Sequence, residues 1–173
     1  EAGGYLIVGV GRDARQAVNS GVVQVIDWHT GSIVHTILNP SPNSSDGFGQ
    51  AVAGMGGKIV IGAPLDDSDG DNVGIAYIAD AATGAVLRTL HNPAPVTADQ
   101  FGHDVAAVGA RAIVGVLLSD VGAENAGSFV VFDGYSGLNV GRLDNPSPEP
   151  NDNFTSSMLG HGDRLLIGAW RDD

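Results

Sequence analysis

The densest set of oxygen donors in the chain is the run Asp66-Asp67-Ser68-Asp69-Gly70-Asp71-Asn72. Hard cations such as calcium take about six to eight oxygens, and carboxylates alternating at Asp67, Asp69 and Asp71 around a glycine turn are a way to supply several. Ca2+ is therefore the one cofactor to expect, with Asp67, Asp69 and Asp71 as candidate ligands. The fit to an EF-hand loop is incomplete: with Gly70 at the template's glycine, its first ligand position falls on Leu65, and no Glu closes it. Two equivalent loops, Arg12-Asp13-Ala14-Arg15 and Ser119-Asp120-Val121-Gly122-Ala123-Glu124, carry fewer carboxylates. A solvated acidic turn is the competing reading of all three.

Catalytic chemistry finds less to work with. His103-Asp104 invites an acid/base dyad, but no serine stands in a Gly-x-Ser-x-Gly elbow and the chain has no cysteine. The five histidines, His29, His35, His91, His103 and His161, share no common spacing that would gather a metal triad. A non-catalytic protein is expected. Trp28, Trp170, Tyr5, Tyr77 and Tyr135 could form a sugar-stacking platform, though aromatics more often fill strands. Asn43-Ser44-Ser45 and Asn153-Phe154-Thr155 match the glycosylation acceptor pattern.

These residues are positioned by a repeat. Phe48, Phe101 and Phe154 are 53 apart, as are Gly9, Gly62, Gly115 and Gly168, and no insertion or deletion breaks the register. Further columns are Gly21, Gly74 and Gly127; Asp27, Asp80 and Asp133; Asn39, Asn92 and Asn145; and Asp46, Asp99 and Asp152. Asp27 and its equivalents close a strand before a turn, where a carboxylate accepts from the N–H groups that follow. Asp46 and its equivalents are expected to pin the loop that crosses between units.

Each unit reads as four short strands: Phe48 to Gly54, Lys58 to Ile61, Val73 to Ile78 and Ala85 to Leu90. Met55-Gly56-Gly57 supplies a tight hairpin, and Asn92-Pro93-Ala94-Pro95 an extended crossing in which two prolines forbid helix. Tyr77 shares its column with Gln24 and Val130 inside the third strand, which marks it for packing between units. Four strands per repeat of this length is the signature of propeller blades. The fold expected is an all-β propeller segment over residues 1–173, with partial units at 1–46 and 153–173 and complete ones at 47–99 and 100–152.

Composition agrees with that fold and narrows the partners. Among 173 residues are 26 glycines and eight prolines without a collagen triplet, which means many turns, and 43% apolar residues, which means a packed core. Eight basic residues against 20 acidic ones give a formal charge of −12, which repels nucleic acid and anionic membrane and favours cations or basic partners. No apolar run approaches the roughly 18 residues of a membrane span. The chain starts on Glu1 with no leader pattern behind it, so any targeting segment is expected to have been removed or never to have belonged to this stretch. Its end at Asp172-Asp173 falls at the repeat phase of Asp13, so about three blades would not close a ring alone. Either a longer propeller or self-association of copies is expected to complete it.

Phe48-Gly49, Phe101-Gly102 and Gly62-Ala63-Pro64 resemble the FG-GAP repeat family, known from the integrin α propeller and from bacterial secreted and surface proteins. The pattern drifts to Phe154-Thr155, Gly115-Val116-Leu117, Gly168-Ala169-Trp170 and Gly9-Val10-Gly11. The resemblance implies an extracellular or cell-surface propeller that serves adhesion, recognition or assembly. The integrin-type calcium loop between the two motifs is not carried over, because Gly54-Met55-Gly56-Gly57-Lys58 holds no carboxylate. A protein or glycan partner on one acidic loop face is the function expected. The alternative is an accessory propeller of a larger secreted enzyme. A quinoprotein propeller fits less well, since Leu90 stands where its blade-end Trp belongs.

Overall fold

The computed structural model describes residues 3–171, so the expectations that rest on Glu1, Asp172 and Asp173 fall outside it. Every element is a β-strand. Blade I contains β1 (Tyr5–Val10), β2 (Val22–Asp27) and β3 (Ile33–Leu38). Blade II contains β4 (Val52–Met55), β5 (Lys58–Ala63), β6 (Ile75–Asp80) and β7 (Val86–His91). Blade III contains β8 (Phe101–Val108), β9 (Arg111–Val116), β10 (Ser128–Asp133) and β11 (Asn139–Asp144); blade IV contains β12 (Phe154–His161) and β13 (Arg164–Ala169). Each blade is an antiparallel meander with strands in chain order. Among the described residues no helix is long and apolar enough to cross a membrane.

The strands keep the sequence register. β1, β5, β9 and β13 begin at residues 5, 58, 111 and 164, each 53 after the last. Several boundaries differ from the reading of the sequence, most of them by one or two residues. The third strand of blade II begins at Ile75 rather than Val73, because Gly74 sits at φ 84° and the Val73 N–H bonds Gly70 O at 3.1 Å, which leaves both in the loop. β4 begins at Val52, whereas β8 and β12 begin on the phenylalanine itself. The hairpin between β4 and β5 is the expected two-glycine turn, with Gly56 at φ 52° and Gly57 at φ 83°.

The core lies between blades rather than within any one of them. Val23, Val25 and Ile37 of blade I meet Phe48, Ile61 and Tyr77 of blade II, and the next two junctions repeat the arrangement. Tyr77 fills its junction as expected, 2% exposed and edge-on to Phe48 at 5.4 Å. Both faces of blades II and III are thereby buried, which explains why β5 and β9 read as nearly continuous apolar runs.

Glycine columns mark where blades touch backbone to backbone. A Cβ on Gly21, Gly74 or Gly127 would fall 2.1–2.2 Å from the carbonyl oxygen of Phe48, Phe101 or Phe154 in the following blade. Each phenylalanine N–H bonds the residue just before that glycine: Phe48 to Ser20 O, Phe101 to Val73 O and Phe154 to Ala126 O, at 2.8–3.0 Å. The phenylalanine of one blade is thus inserted against the strand end of the previous one.

At the opposite end the turn after the third strand is held as the sequence suggests. Asp27, Asp80 and Asp133 accept the N–H groups two and three residues on, at 2.8–3.2 Å. These bonds hold all three carboxyls below the usual range. For Asp27 and Asp133 the largest cause is the backbone bond from Thr30 or Ser136, and for Asp80 it is the Thr83 hydroxyl. A bulge precedes each turn, at Val25/Ile26, Ile78/Ala79 and Val131/Phe132.

Candidate functional site

Loops from two sources are welded together at one end of the blades. The loop between the second and third strands bonds the crossing to the next blade through Ser45 N to Val18 O, Ala98 N to Asp71 O and Asn151 N to Glu124 O, at 2.8–2.9 Å. The donors stand at φ 76°, 67° and 68°, in the left-handed region that Asn and Gly tolerate best. Three such bonds in one repeat column make this end a single surface.

Each crossing is pinned by an asparagine and an aspartate seven residues apart. Asp46 Oδ2 accepts Asn39 Nδ2 and Asn43 N at 2.7 Å each. Asp99 Oδ2 accepts Asn92 Nδ2 at 2.7 Å and Val96 N at 2.8 Å, and Asp152 Oδ2 accepts Asn145 Nδ2 and Glu149 N at 2.8 Å. The asparagine Oδ1 in turn takes the N–H two residues on, at Ser41, Ala94 and Ser147. Burial pushes the Asp46 and Asp99 carboxyls up, against the backbone bonds that favour their charge. Both columns are visible in the sequence; their constant separation is the signal that would have paired them.

The three carboxylates proposed for calcium are each turned to a protein group, two of them to Asn72. Asp67 Oδ1 accepts Asn72 N at 2.7 Å, an arrangement repeated by Asp120 and Asn125 at 2.8 Å. Asp69 Oδ2 lies 2.7 Å from His91 Nδ1, and Asp71 Oδ1 accepts the Asn72 side-chain amide at 2.7 Å. Among the described residues no three His, Asp or Glu side chains converge on a point that could hold a metal. The recurrence of Asp67 as Asp120 marks it as a carboxylate that shapes the loop.

His103 and Asp104 do not form a hydrogen-bonded pair. His103 Nδ1 is buried without a partner, and burial pushes its imidazole pKa down. Asp104 turns the other way, bonding its own neighbour Val105 N and reaching across to Met158 N on the inner strand of blade IV. That clasp between inner strands was not legible in the sequence. Burial pushes the Asp104 carboxyl up. His103, Leu117, Asn153, Ser157, Trp170 and Arg171 line a cavity of about 440 Å³ between blades III and IV.

The aromatic residues make no common platform. Trp28 and Tyr135, 59% and 65% exposed, sit on the turns after the third strands, whereas Trp170 follows a second strand at the other end and Tyr77 is buried. Tyr77 therefore follows the expectation of interior packing, and Tyr5 does so in part, half-buried against the same core cluster and lining a surface pocket with Trp28. Of the two glycosylation patterns, Asn43 is exposed, but Asn153 is 7% exposed and held at φ 52°.

No curated protein matches the chain. Residues 34–79 match the family model described as FG-GAP repeat. That span runs from β3 through the pinned crossing and the Phe48-Gly49 insertion to β6, the segment in which one blade is attached to the next. The register carries the same pattern on through blade III, and the chain is a propeller-type repeat module in which residues 34–79 match the FG-GAP repeat.

Proposed function

We propose that this chain is a non-catalytic recognition scaffold of an extracellular or cell-surface protein, which binds a basic protein partner through its welded loop end. The observation that carries the reading is the acidity of the loop end in blades II and III; the exposed basic residues of that end, Arg12, Arg15 and Arg171, belong to blades I and IV. Asp67, Asp71, Asp120, Glu124 and Glu149 are exposed on loops at that end, with Asp69 partly so. Lys58, Arg111 and Arg164 open second strands at the other end, where Arg111 pairs with Asp133 at 3.1 Å and Arg88, from within β7, reaches Ser136 O. A surface of one sign attracts and orients a partner of the other, and its effect weakens as salt rises. The loops are also held by backbone bonds, so little ordering opposes binding.

The test is biolayer interferometry of the immobilised chain against a panel of lysine-rich and arginine-rich peptides and a panel of neutral glycans. Binding to cationic peptides should fall steeply between low and physiological salt. It should drop at least tenfold when Asp120, Glu124 and Glu149 are changed together to Asn, Gln and Gln. Tight, salt-independent binding of a neutral glycan, or cationic binding indifferent to the triple substitution, would remove the basis of this reading.

A further inference from the structure

The junction between blades I and II buries two carboxylates at a place where the next junction buries one. Asp46 and Asp66 are both 0% exposed. Asp66 Oδ1 accepts Ser68 N at 2.9 Å, and its Oδ2 accepts the Ser41 hydroxyl at 3.1 Å. The Ser41 oxygen lies 3.1 Å from the hydroxyl of Tyr77, itself 2% exposed. Asp46 uses Oδ2 for Asn39 and Asn43, while its Oδ1 is buried with no partner. Among the described residues neither carboxylate forms an ion pair with Lys, Arg or His.

The junction between blades II and III serves as an internal control. There the position of Asp66 is taken by Ser119, and the guanidinium of Arg142 donates to the Ser119 hydroxyl at 2.8 Å. The same positive charge favours the ionised form of Asp99. In blade II the position of Arg142 is the exposed, uncharged Thr89. One junction therefore carries a carboxylate and a built-in cation, while the other carries two carboxylates and no cation. Buried charge of one sign needs a counter-charge, a metal or a proton. Donors that are all oxygen and that sum to two negative charges select a small hard divalent ion.

We propose that Asp46 Oδ1 and the Asp66 carboxylate, with Ser41 Oγ and Tyr77 Oη as neutral donors, hold a divalent cation of the calcium class at the blade I–II junction. Tyr77, its pKa pushed up to about 12 chiefly by burial, offers a neutral hydroxyl oxygen to the site. The ion ties Ser41 and Asp46 of the crossing loop to Asp66 and Tyr77 of blade II, and so fastens one blade to the next. It is separate from the acidic run at Asp67, Asp69 and Asp71, and independent of any partner at the loop end.

The experiment uses the whole chain, stripped with EDTA and exchanged into metal-free buffer at pH 7.5. Thermal unfolding is followed as CaCl2 is added, with MgCl2 for selectivity and NaCl matched for ionic strength. Bound calcium is counted by elemental analysis after gel filtration. The expected result is one calcium per chain and a saturable rise in the midpoint, about 5–10 °C at a hundredfold excess over Kd. Both persist in the triple variant D67N/D69N/D71N and vanish in Asp66→Ser, which copies the residue already present at Ser119. Should Asp66→Ser fail to fold, Tyr77→Phe keeps the packing and is expected to weaken calcium binding several-fold. Three results overturn the proposal. One is loss of binding in the triple variant, and another is retention in Asp66→Ser or unchanged affinity in Tyr77→Phe. The third is a midpoint indifferent to calcium that rises as pH falls from 7 to 5, which would place a proton between the two carboxylates.

Discussion

A Cβ placed on Gly62 would fall 2.0 Å from the carbonyl oxygen of Gly102 in the following blade, and one on Gly9 would fall 1.9 Å from that of Gly49. The glycine of the second strand and the glycine after the inserted phenylalanine thus face each other across every junction that keeps both, which gives the two motif halves one physical cause. The obstacle is backbone, so no rotamer change relieves it. Gly62→Ala is expected to destabilise the protein by about 3 kcal/mol or more, at or beyond the upper range of ordinary overpacking. Gly141→Ala, which would meet no atom within 4 Å, should stay within about 1 kcal/mol of the parent. Urea unfolding of the two variants checks this. A Gly62→Ala midpoint close to that of Gly141→Ala would refute the backbone-contact explanation.

The junction between blades III and IV departs from that rule at Thr155. It occupies the column of Gly49 and Gly102, is 0% exposed, and sits at φ 79°, where a β-branched residue is disfavoured by about 1–2 kcal/mol. Its hydroxyl bonds Ser128 O at 3.1 Å, a partial compensation of about 1 kcal/mol. Thr155→Gly relieves the backbone and loses the bond. A net gain of up to about 1 kcal/mol is expected, read as a rise of about 2–4 °C in the thermal midpoint. A midpoint lowered by several degrees would mean that the hydroxyl bond outweighs the conformational cost.

These two positions also show what the sequence could and could not reveal. The repeat columns located all thirteen strands to within a few residues, because the turn residues that bound each strand recur without slippage. They did not reveal why the glycines recur, since that cause is a contact between residues some 40 apart, Gly62 and Gly102, in adjacent sheets. The acidic run misled in a related way. Composition presents Asp66 through Asp71 as one solvated patch, yet Asp66 is fully buried while Asp67 and Asp71 are exposed. A run of carboxylates carries no periodicity that says which member turns inward. Asp104 stands beside His103 in the sequence, which invites a dyad, but adjacent strand residues face opposite ways and its partner is Met158 on another blade.

Buried carboxylates set an expectation for pH. Asp99 and Asp104 have pKa values raised above 3.8, chiefly by burial. Each binds a proton more readily folded than unfolded, so its charged form opposes folding. Stability should therefore fall as pH rises from about 4 through the raised folded values. Asp27, Asp80 and Asp133 act in the opposite sense: their pKa values are lowered, so the stability they add above about 4 is lost as pH falls further. The two effects place the stability maximum on the acid side of neutrality. Asp99→Asn keeps an acceptor for Asn92 and Val96 without the charge and should flatten the decline between pH 4 and pH 7. Chemical denaturation across that range tests it, and an undiminished slope in the variant would rule out Asp99 as a source.

The pinned crossings supply the last expectation. In the crossing from blade II to blade III, Asn92 is 4% exposed; its amide donates to Asp99, and its carbonyl takes Ala94 N at 3.1 Å. Asn92→Ala removes both bonds and leaves a buried carboxylate short of one donor, a loss of about 2–3 kcal/mol. Asn92→Asp keeps the acceptor for Ala94 but sets two carboxylates face to face, so it should cost at least as much at neutral pH and less once the pair can hold a proton. Limited proteolysis localises the effect. In Asn92→Ala, cleavage should concentrate between residues 92 and 99, because the loop opens while the strands that bound it stay paired. Loss of global stability with no new cleavage there would mean that the asparagine acts on the blade junction as a whole rather than on its own loop.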